Sequence, residues 1–168
     1  MDFARLLVRD ADQASDAAAC AAVYAPYVLD TTITFEEEVP EADDFAARIA
    51  AARRQHAWLV GEVSGVVVGY AYAGPYRPRA AYRWSCETSV YLDRGARGHG
   101  WGRALYQALL DRLGAMGYRT AVAGATLPND ASERLHAALG FEPVGVFRRV
   151  GFKLDQWCDV AWVQRDLG

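Results

Sequence analysis

Residues 87–103 read Glu-Thr-Ser-Val-Tyr-Leu-Asp-Arg-Gly-Ala-Arg-Gly-His-Gly-Trp-Gly-Arg, and this stretch constrains the fold more than any other. Val90 and Leu92 alternate with Tyr91 as half-buried strand residues do. Asp93 to Gly95 breaks the strand. Glycines then fall at 98, 100 and 102, and Ala104, Leu105, Leu109 and Leu113 follow at helical spacing. A strand that turns through glycines into a helix leaves backbone N–H groups without intrahelical acceptors. Those donors and the positive end of the helix dipole form an anion site, and glycine lets the backbone approach a phosphate closely.

Two phosphate motifs fail on this stretch. The P-loop requires a lysine after its glycines, and none is present. The dinucleotide fingerprint begun at Gly98 requires glycine at 103, where Arg103 stands. The pattern R-x-x-G-x-G is satisfied by Arg97, Gly100 and Gly102. It resembles the pyrophosphate signature of the GCN5-related N-acetyltransferases, which hold acetyl-CoA.

With 168 residues the chain has the size of one domain, 1–168, and enough length to bury a sizeable core. No run is long and apolar enough to span a membrane, and Met1 to Arg5 lacks the basic-then-apolar form of a signal peptide. Cys20, Cys86 and Cys158 are odd in number and widely spaced, which points to reduced thiols and a cytoplasmic location. The formal net charge is −3 with no basic run, which argues against nucleic acid as a partner.

Taken in order, residues 6–9 read as a first strand. Asp10 or Asp12 is placed to cap a helix through Ala17, Cys20, Val23, Tyr24 and Tyr27, distorted near Pro26. Residues 31–35 are β-branched and aromatic, and Glu36-Glu37-Glu38 reads as a solvated loop face. Pro40 opens a second helix with Phe45, Ile49 and Ala52 on its inner stripe. Strands at 58–62 and 66–73 form a hairpin around Val63-Ser64-Gly65. A loop with Tyr76, Arg77, Arg79 and Tyr82 leads to a central strand at 83–92. The glycine turn and its helix follow, ending near Gly117. Then come a strand at 120–126, a short helix from Asp130, whose spacing to Glu133 is that of a capping box, Gly140 as its C-cap, and strands at 144–150 and 158–164. This order fits an α/β domain with a mixed sheet.

The resemblance extends over nearly the whole chain and is strongest to the branch that acetylates phosphinothricin and methionine sulfone. It is carried by Trp84 to Leu92, Arg97 to Gly102, Leu127 to Phe141, Gly151-Phe152-Lys153 and Trp157 to Val160. It implies a mixed, mostly antiparallel central sheet flanked by helices, and acetyl-CoA as co-substrate. The acceptor would be a small amine such as phosphinothricin, methionine sulfone or methionine sulfoximine, attacking directly in a ternary complex.

Acetyl transfer to an ammonium requires a base, a donor to the thioester oxygen and a proton for the leaving thiolate. Glu87, mid-strand with Ser85 and Ser89 on its face, is the candidate base. A plain wet-face glutamate is the alternative. His136 lies where many relatives carry a tyrosine that protonates the thiolate, and a packed helix histidine is the competing reading. The resemblance assigns cofactor contacts to Val90, Tyr91 and Leu92, to the turn Arg97, Gly98, His99, Gly100, Trp101, Gly102 and Arg103, and to Asn129 and Ser132. Arg77 and Arg79 are candidates for holding acceptor oxygens with paired N–H donors, and Phe35, Tyr76, Tyr82 and Trp84 for walling the acceptor pocket. A homodimer is expected, with Lys153 and Trp157 lending themselves to a neighbour's pocket. Two other functions compete: acetylation of a protein N-terminus, and a non-catalytic acetyl-CoA sensor that would need neither Glu87 nor Arg77.

Overall fold

The computed structural model describes residues 5–168, so the signal-peptide reading falls mostly on residues 1–4, outside the described residues. The elements are β1 (Leu7–Asp10), α1 (Ala17–Asp30), α2 (Ala42–Gln55), β2 (Trp58–Val63), β3 (Val66–Pro75), β4 (Ser85–Leu92), α3 (Trp101–Ala115), β5 (Thr120–Thr126), α4 (Asp130–Ala138), β6 (Glu142–Lys153) and β7 (Gln156–Asp166). The strands form a seven-stranded sheet in the order β1-β2-β3-β4-β5-β7-β6. Every neighbouring pair is antiparallel except β4 and β5. The class is α/β with a mixed, mostly antiparallel sheet, as the sequence implies. Among the described residues no helix is long and apolar enough to cross a membrane.

The parallel pair positions the site. β4 and β5 are in register only from Ser85 to Glu87, opposite Thr120 to Val122. Beyond that point the strands part, while β4 stays paired to β3 as far as Leu92. Thr88 stands at the apex of this fork. Its hydroxyl donates to the Val122 carbonyl at 3.2 Å and lies 2.7 Å from the Tyr106 hydroxyl. A buried side chain thus satisfies a carbonyl at the point where the ladder ends.

Two cores hold the sheet from opposite faces. On one, the α3 stripe of Leu105, Leu109, Leu110 and Leu113 packs on Leu59, Ala71, Ala73, Cys86, Ala121 and Ala123. Each such leucine contributes roughly 1.5–3 kcal/mol on burial. On the other, Cys20, Val23, Tyr24 and Val28 of α1 join Phe45 and Ile49 of α2 over Trp58, Val60 and Tyr70.

Several local readings change. α1 starts at Ala17, later than a cap at Asp10 or Asp12 would place it. Asp12 instead closes a turn by accepting from the N–H groups of Ala14 and Ser15, and Asp10 pairs with Arg112. α2 opens on a capping box between Glu41 and Asp44 rather than on Pro40. α4 is capped by Asn129, whose side chain accepts from the Ser132 N–H, rather than by Asp130. Residues 31–35 form no strand despite their composition and bridge α1 to α2 as bends. The last two strands are longer than expected and make one hairpin, because Leu154 and Asp155 both take positive φ and close a tight turn. At Ser64-Gly65 both central φ angles are also positive, as a two-residue hairpin turn requires.

Candidate active site

The expected anion turn is present, and its glycines differ in purpose. Gly98 and Gly100 have φ of +87° and +75°, a left-handed conformation that favours glycine. Gly100 is also the N-cap of α3. Gly102 is helical, but a Cβ there would lie 2.7 Å from the Leu92 side chain, so its smallness lets α3 sit against the end of β4. Above the turn lies a groove of about 570 Å3, lined among others by Val90, Tyr91, Leu92, Arg97, Gly98, Gly100, Trp101, Gly102, Arg103, Asn129 and Ser132. Its floor is the edge of β4 that lost its partner at the fork. The backbone of Val90 to Leu92 therefore borders the groove beside the free N–H groups of the α3 terminus.

The side chains of the turn are less uniform. Arg97 donates to the Tyr27 hydroxyl at 3.0 Å, and that hydroxyl donates to the Leu92 carbonyl at 2.6 Å. Tyr27, unassigned from sequence because it reads as a core residue of α1, thus ties the turn to β4. Arg103 reaches the Ala138 carbonyl at 3.4 Å across the groove. His99 stacks on Trp101 with ring centres 4.5 Å apart and does not line the groove.

Inboard of the groove, within the fork, is a small chamber of about 60 Å3 lined by Ile33, Thr88 to Tyr91, Ala123 to Ala125, Asn129, Ser132 and His136. His136 is buried on its wall. Nε2 lies 3.4 Å from the Tyr106 hydroxyl and Nδ1 3.4 Å from the Ser132 hydroxyl. Burial holds its pKa below the usual histidine value, with the Ser132 backbone opposing, so the ring is neutral at neutral pH. Tyr106 and Thr88 extend this contact to the sheet. Both were missed from sequence because Tyr106 falls on the apolar stripe of α3.

Glu87 stands at the root of the fork, half-buried, opposite Gly74 on β3 and Val122 on β5. Burial pushes its carboxyl above the ordinary range, and the charge of Arg77 pulls against that rise. A Cβ at Gly74 would meet nothing within 4 Å, so the space beside Glu87 is open on that side. The two cross-strand neighbours of Glu87 line separate hollows, Val122 the first and Gly74 the second. One of about 350 Å3 is lined by Tyr76, Arg77, Val122, Val144 to Phe147 and Trp162 to Gln164. The other, about 450 Å3, includes Arg48, Trp58, Tyr72, Ala73 and Gly74.

The remaining acceptor candidates separate. Arg77 lies over the Tyr76 ring and close enough to Glu87 to act on its charge. Arg79 opens the 3-10 turn at Ala80–Tyr82 and is exposed, lining neither hollow. Tyr82 packs edge-on behind Tyr76 and Trp84 lies under Arg83, both exposed, so Tyr76 alone of the three walls a hollow. Phe35 packs on Gly151. Lys153 is buried and donates to the Thr34 carbonyl of its own chain at 2.8 Å. Lys153 thus ties the end of β6 to the segment between α1 and α2 of its own chain, while Trp157 is exposed. Glu36, read as solvated, pairs with Arg48 at 2.7 Å and buries its second oxygen.

Comparison with known proteins agrees with this geometry. Residues 10–162 match the acetyltransferase (GNAT) domain family. The chain is 39% identical to phosphinothricin N-acetyltransferase of Streptomyces viridochromogenes, covering 92% of this chain and 84% of that one. It is 35% identical to the L-methionine sulfoximine/L-methionine sulfone acetyltransferase of Salmonella typhimurium, covering 96% and 95%. The solved structure of a GNAT superfamily phosphinothricin acetyltransferase from Sinorhizobium meliloti, in complex with AcCoA, superposes with a TM-score of 0.93 at 38% identity, covering 97% and 89%.

Proposed function

The chain belongs to the GNAT acetyltransferases, and from that premise we propose that it moves the acetyl group of acetyl-CoA to the α-amine of a small amino acid or analogue. The acceptor is of the phosphinothricin, methionine sulfone or methionine sulfoximine type, and attack is direct, in a ternary complex. The observation that carries this reading is the position of Glu87 at the root of the fork: it is half-buried, its cross-strand neighbours Gly74 and Val122 line two open hollows, and Arg77, which acts on its charge, lines one of them.

The pyrophosphate of acetyl-CoA takes the N–H groups of the Gly98–Arg103 turn, with Arg97 and Arg103 supplying charge. The arm follows the unpaired edge of Val90 to Leu92 beside Asn129 and Ser132, which brings the thioester to the fork. A backbone N–H of β4 polarises its carbonyl. Glu87, raised in pKa by burial, takes a proton from the acceptor's ammonium, directly or through water. The free amine attacks the carbonyl carbon, the N–C bond forms, and the C–S bond then breaks. Neutral His136 accepts the second nitrogen proton and passes it to the departing thiolate. Proton count is conserved: one to Glu87, one to sulfur. Arg77, with Arg79 if the exposed turn closes over a bound acceptor, holds the acceptor's oxygens.

The whole chain acts as one domain in this reading. We further propose a homodimer through the β6–β7 hairpin, which leaves Val144, Val146, Phe147, Val150, Phe152, Leu154 and Trp157 about half exposed. Cys20, Cys86 and Cys158 are buried free thiols, consistent with the cytoplasm.

Arg77→Ala and Arg79→Ala, assayed with methionine sulfone, phosphinothricin and a simple amine, test the acceptor assignment. A charged contact contributes roughly 1.5–3 kcal/mol, about one to two decades in KM. The expected penalty falls on the oxygen-rich acceptors and spares the simple amine. Equal loss on every amine would move acetylation of a peptide terminus ahead.

A further inference from the structure

One carboxylate beside the site has no role in the mechanism above. Glu36 lies in the bridge from α1 to α2, and four contacts hold that bridge. The Thr34 hydroxyl lies 2.5 Å from the Tyr24 hydroxyl and accepts from the Glu36 N–H at 3.2 Å. Lys153 donates to the Thr34 carbonyl, and Phe35 packs on Gly151. Glu36 is therefore fixed rather than waving in solvent. Its Oε1 pairs with Arg48 at 2.7 Å, while its Oε2 is buried and has no partner among the described residues.

Tyr72 locates Glu36 relative to the reacting groups. It stands opposite Ser89 across β3 and β4, two pairs from Gly74 and Glu87 and so on the same face. Burial raises the pKa of its hydroxyl, the Arg48 charge opposes, and the charges of Glu87 and Glu36 both add to the rise. Glu36 and Glu87 thus act on the same hydroxyl. Arg48 and Tyr72 both line the 450 Å3 hollow, as does Gly74, the cross-strand neighbour of Glu87. A buried carboxylate oxygen without a donor carries a desolvation cost of roughly 1–3 kcal/mol or more, and a bound donor removes it.

We infer that Glu36 is a specificity-determining residue of the acceptor site: its free oxygen accepts a hydrogen bond from an N–H group of the incoming amine, and Arg48 holds the carboxylate in place. The contact forms on docking, before any proton moves. It selects acceptors that bring a nitrogen donor to the Tyr72 side of Glu87, and it disfavours those that bring an anionic oxygen there. This inference rests on the proposed acetyl transfer to small amines.

The test compares wild type, Glu36→Gln and Arg48→Met by thiol release from acetyl-CoA, with methionine sulfone and methionine sulfoximine as acceptors. Glutamine preserves size and can still accept from Arg48, but turns a donor toward the acceptor. Arg48→Met leaves the carboxylate and removes its hold. In each variant the acceptor KM is expected to rise about tenfold or more, with kcat and the KM for acetyl-CoA within about twofold, a split that a merely loosened fold would not give. Unchanged acceptor KM in either folded variant overturns the inference and leaves the proposed function standing. A wild type that acetylates neither acceptor overturns both.

Discussion

The ring of Phe35 fills the space that a side chain at position 151 would occupy: a Cβ built on Gly151 overlaps three of its ring carbons. A glycine on a hairpin strand thus seats the bridge between the first two helices. Lys153, two positions further on, holds the same bridge by donating to the Thr34 carbonyl.

Gly151→Ala should therefore push Phe35 away and loosen the bridge that carries Thr34 and Glu36. The expected outcome is an acceptor KM raised several-fold with a smaller change in acetyl-CoA affinity, because Thr34 to Glu36 do not line the cofactor groove and Ile33 borders it. Steady-state kinetics with each substrate varied in turn checks this. A matching loss of acetyl-CoA affinity would contradict it.

At the cofactor end, Gly100→Val places a β-branched residue at φ of +75°. Left-handed backbone costs such a residue roughly 1–2 kcal/mol, and the turn escapes the strain by moving its N–H groups. Acetyl-CoA affinity should fall about tenfold in calorimetry while the circular-dichroism spectrum is retained. Gly102→Ala should weaken affinity by another route, pressing on Leu92.

The architecture was legible because its signals are local. Alternation in β4, glycines before α3 and leucines at helical spacing each depend on a few neighbours. The anion turn and Glu87 could be read for the same reason. What escaped depends on distant pairings. Tyr106 looks like one more apolar residue of α3 until Thr88 and His136 are seen to meet it. Glu36 looks solvated because Arg48, twelve positions on, is the partner that draws it in. The contact of Lys153 with Thr34 is invisible in the sequence, because the two residues are 119 positions apart. Asp10 and Asp12 look placed to cap α1, whereas the helix begins after Asp16, whose carboxylate is held by Arg9 and makes no cap bond.

That last arrangement has a stability consequence. Asp16 is buried and accepts from both Arg9 terminal nitrogens, at 2.7 and 2.9 Å, and from the Asp12 N–H at 2.7 Å. The Arg9 hydrogen bonds hold its carboxyl below the ordinary value of 3.8 despite burial. A lowered folded pKa gives stability that is fully present above the unfolded value and is lost as pH falls through the folded one. Asp16→Asn should cost about 1.5–3 kcal/mol at neutral pH, with the difference from wild type shrinking in denaturant titrations below the ordinary carboxylate pKa. A constant difference at all pH values would contradict the ion-pair account.

The most direct measurement is thiol release from acetyl-CoA with methionine sulfone, followed against pH for wild type and Glu87→Gln. The carboxyl of Glu87 must be ionised to take a proton, and burial raises its pKa. Wild-type kcat/KM should therefore fall on the acid side as pH drops through that raised value. Glu87→Gln should lose this limb and turn over roughly 10²–10⁴-fold more slowly, with unchanged acetyl-CoA affinity. Wild-type turnover in the variant, or no thiol release from the wild-type protein, would contradict the account.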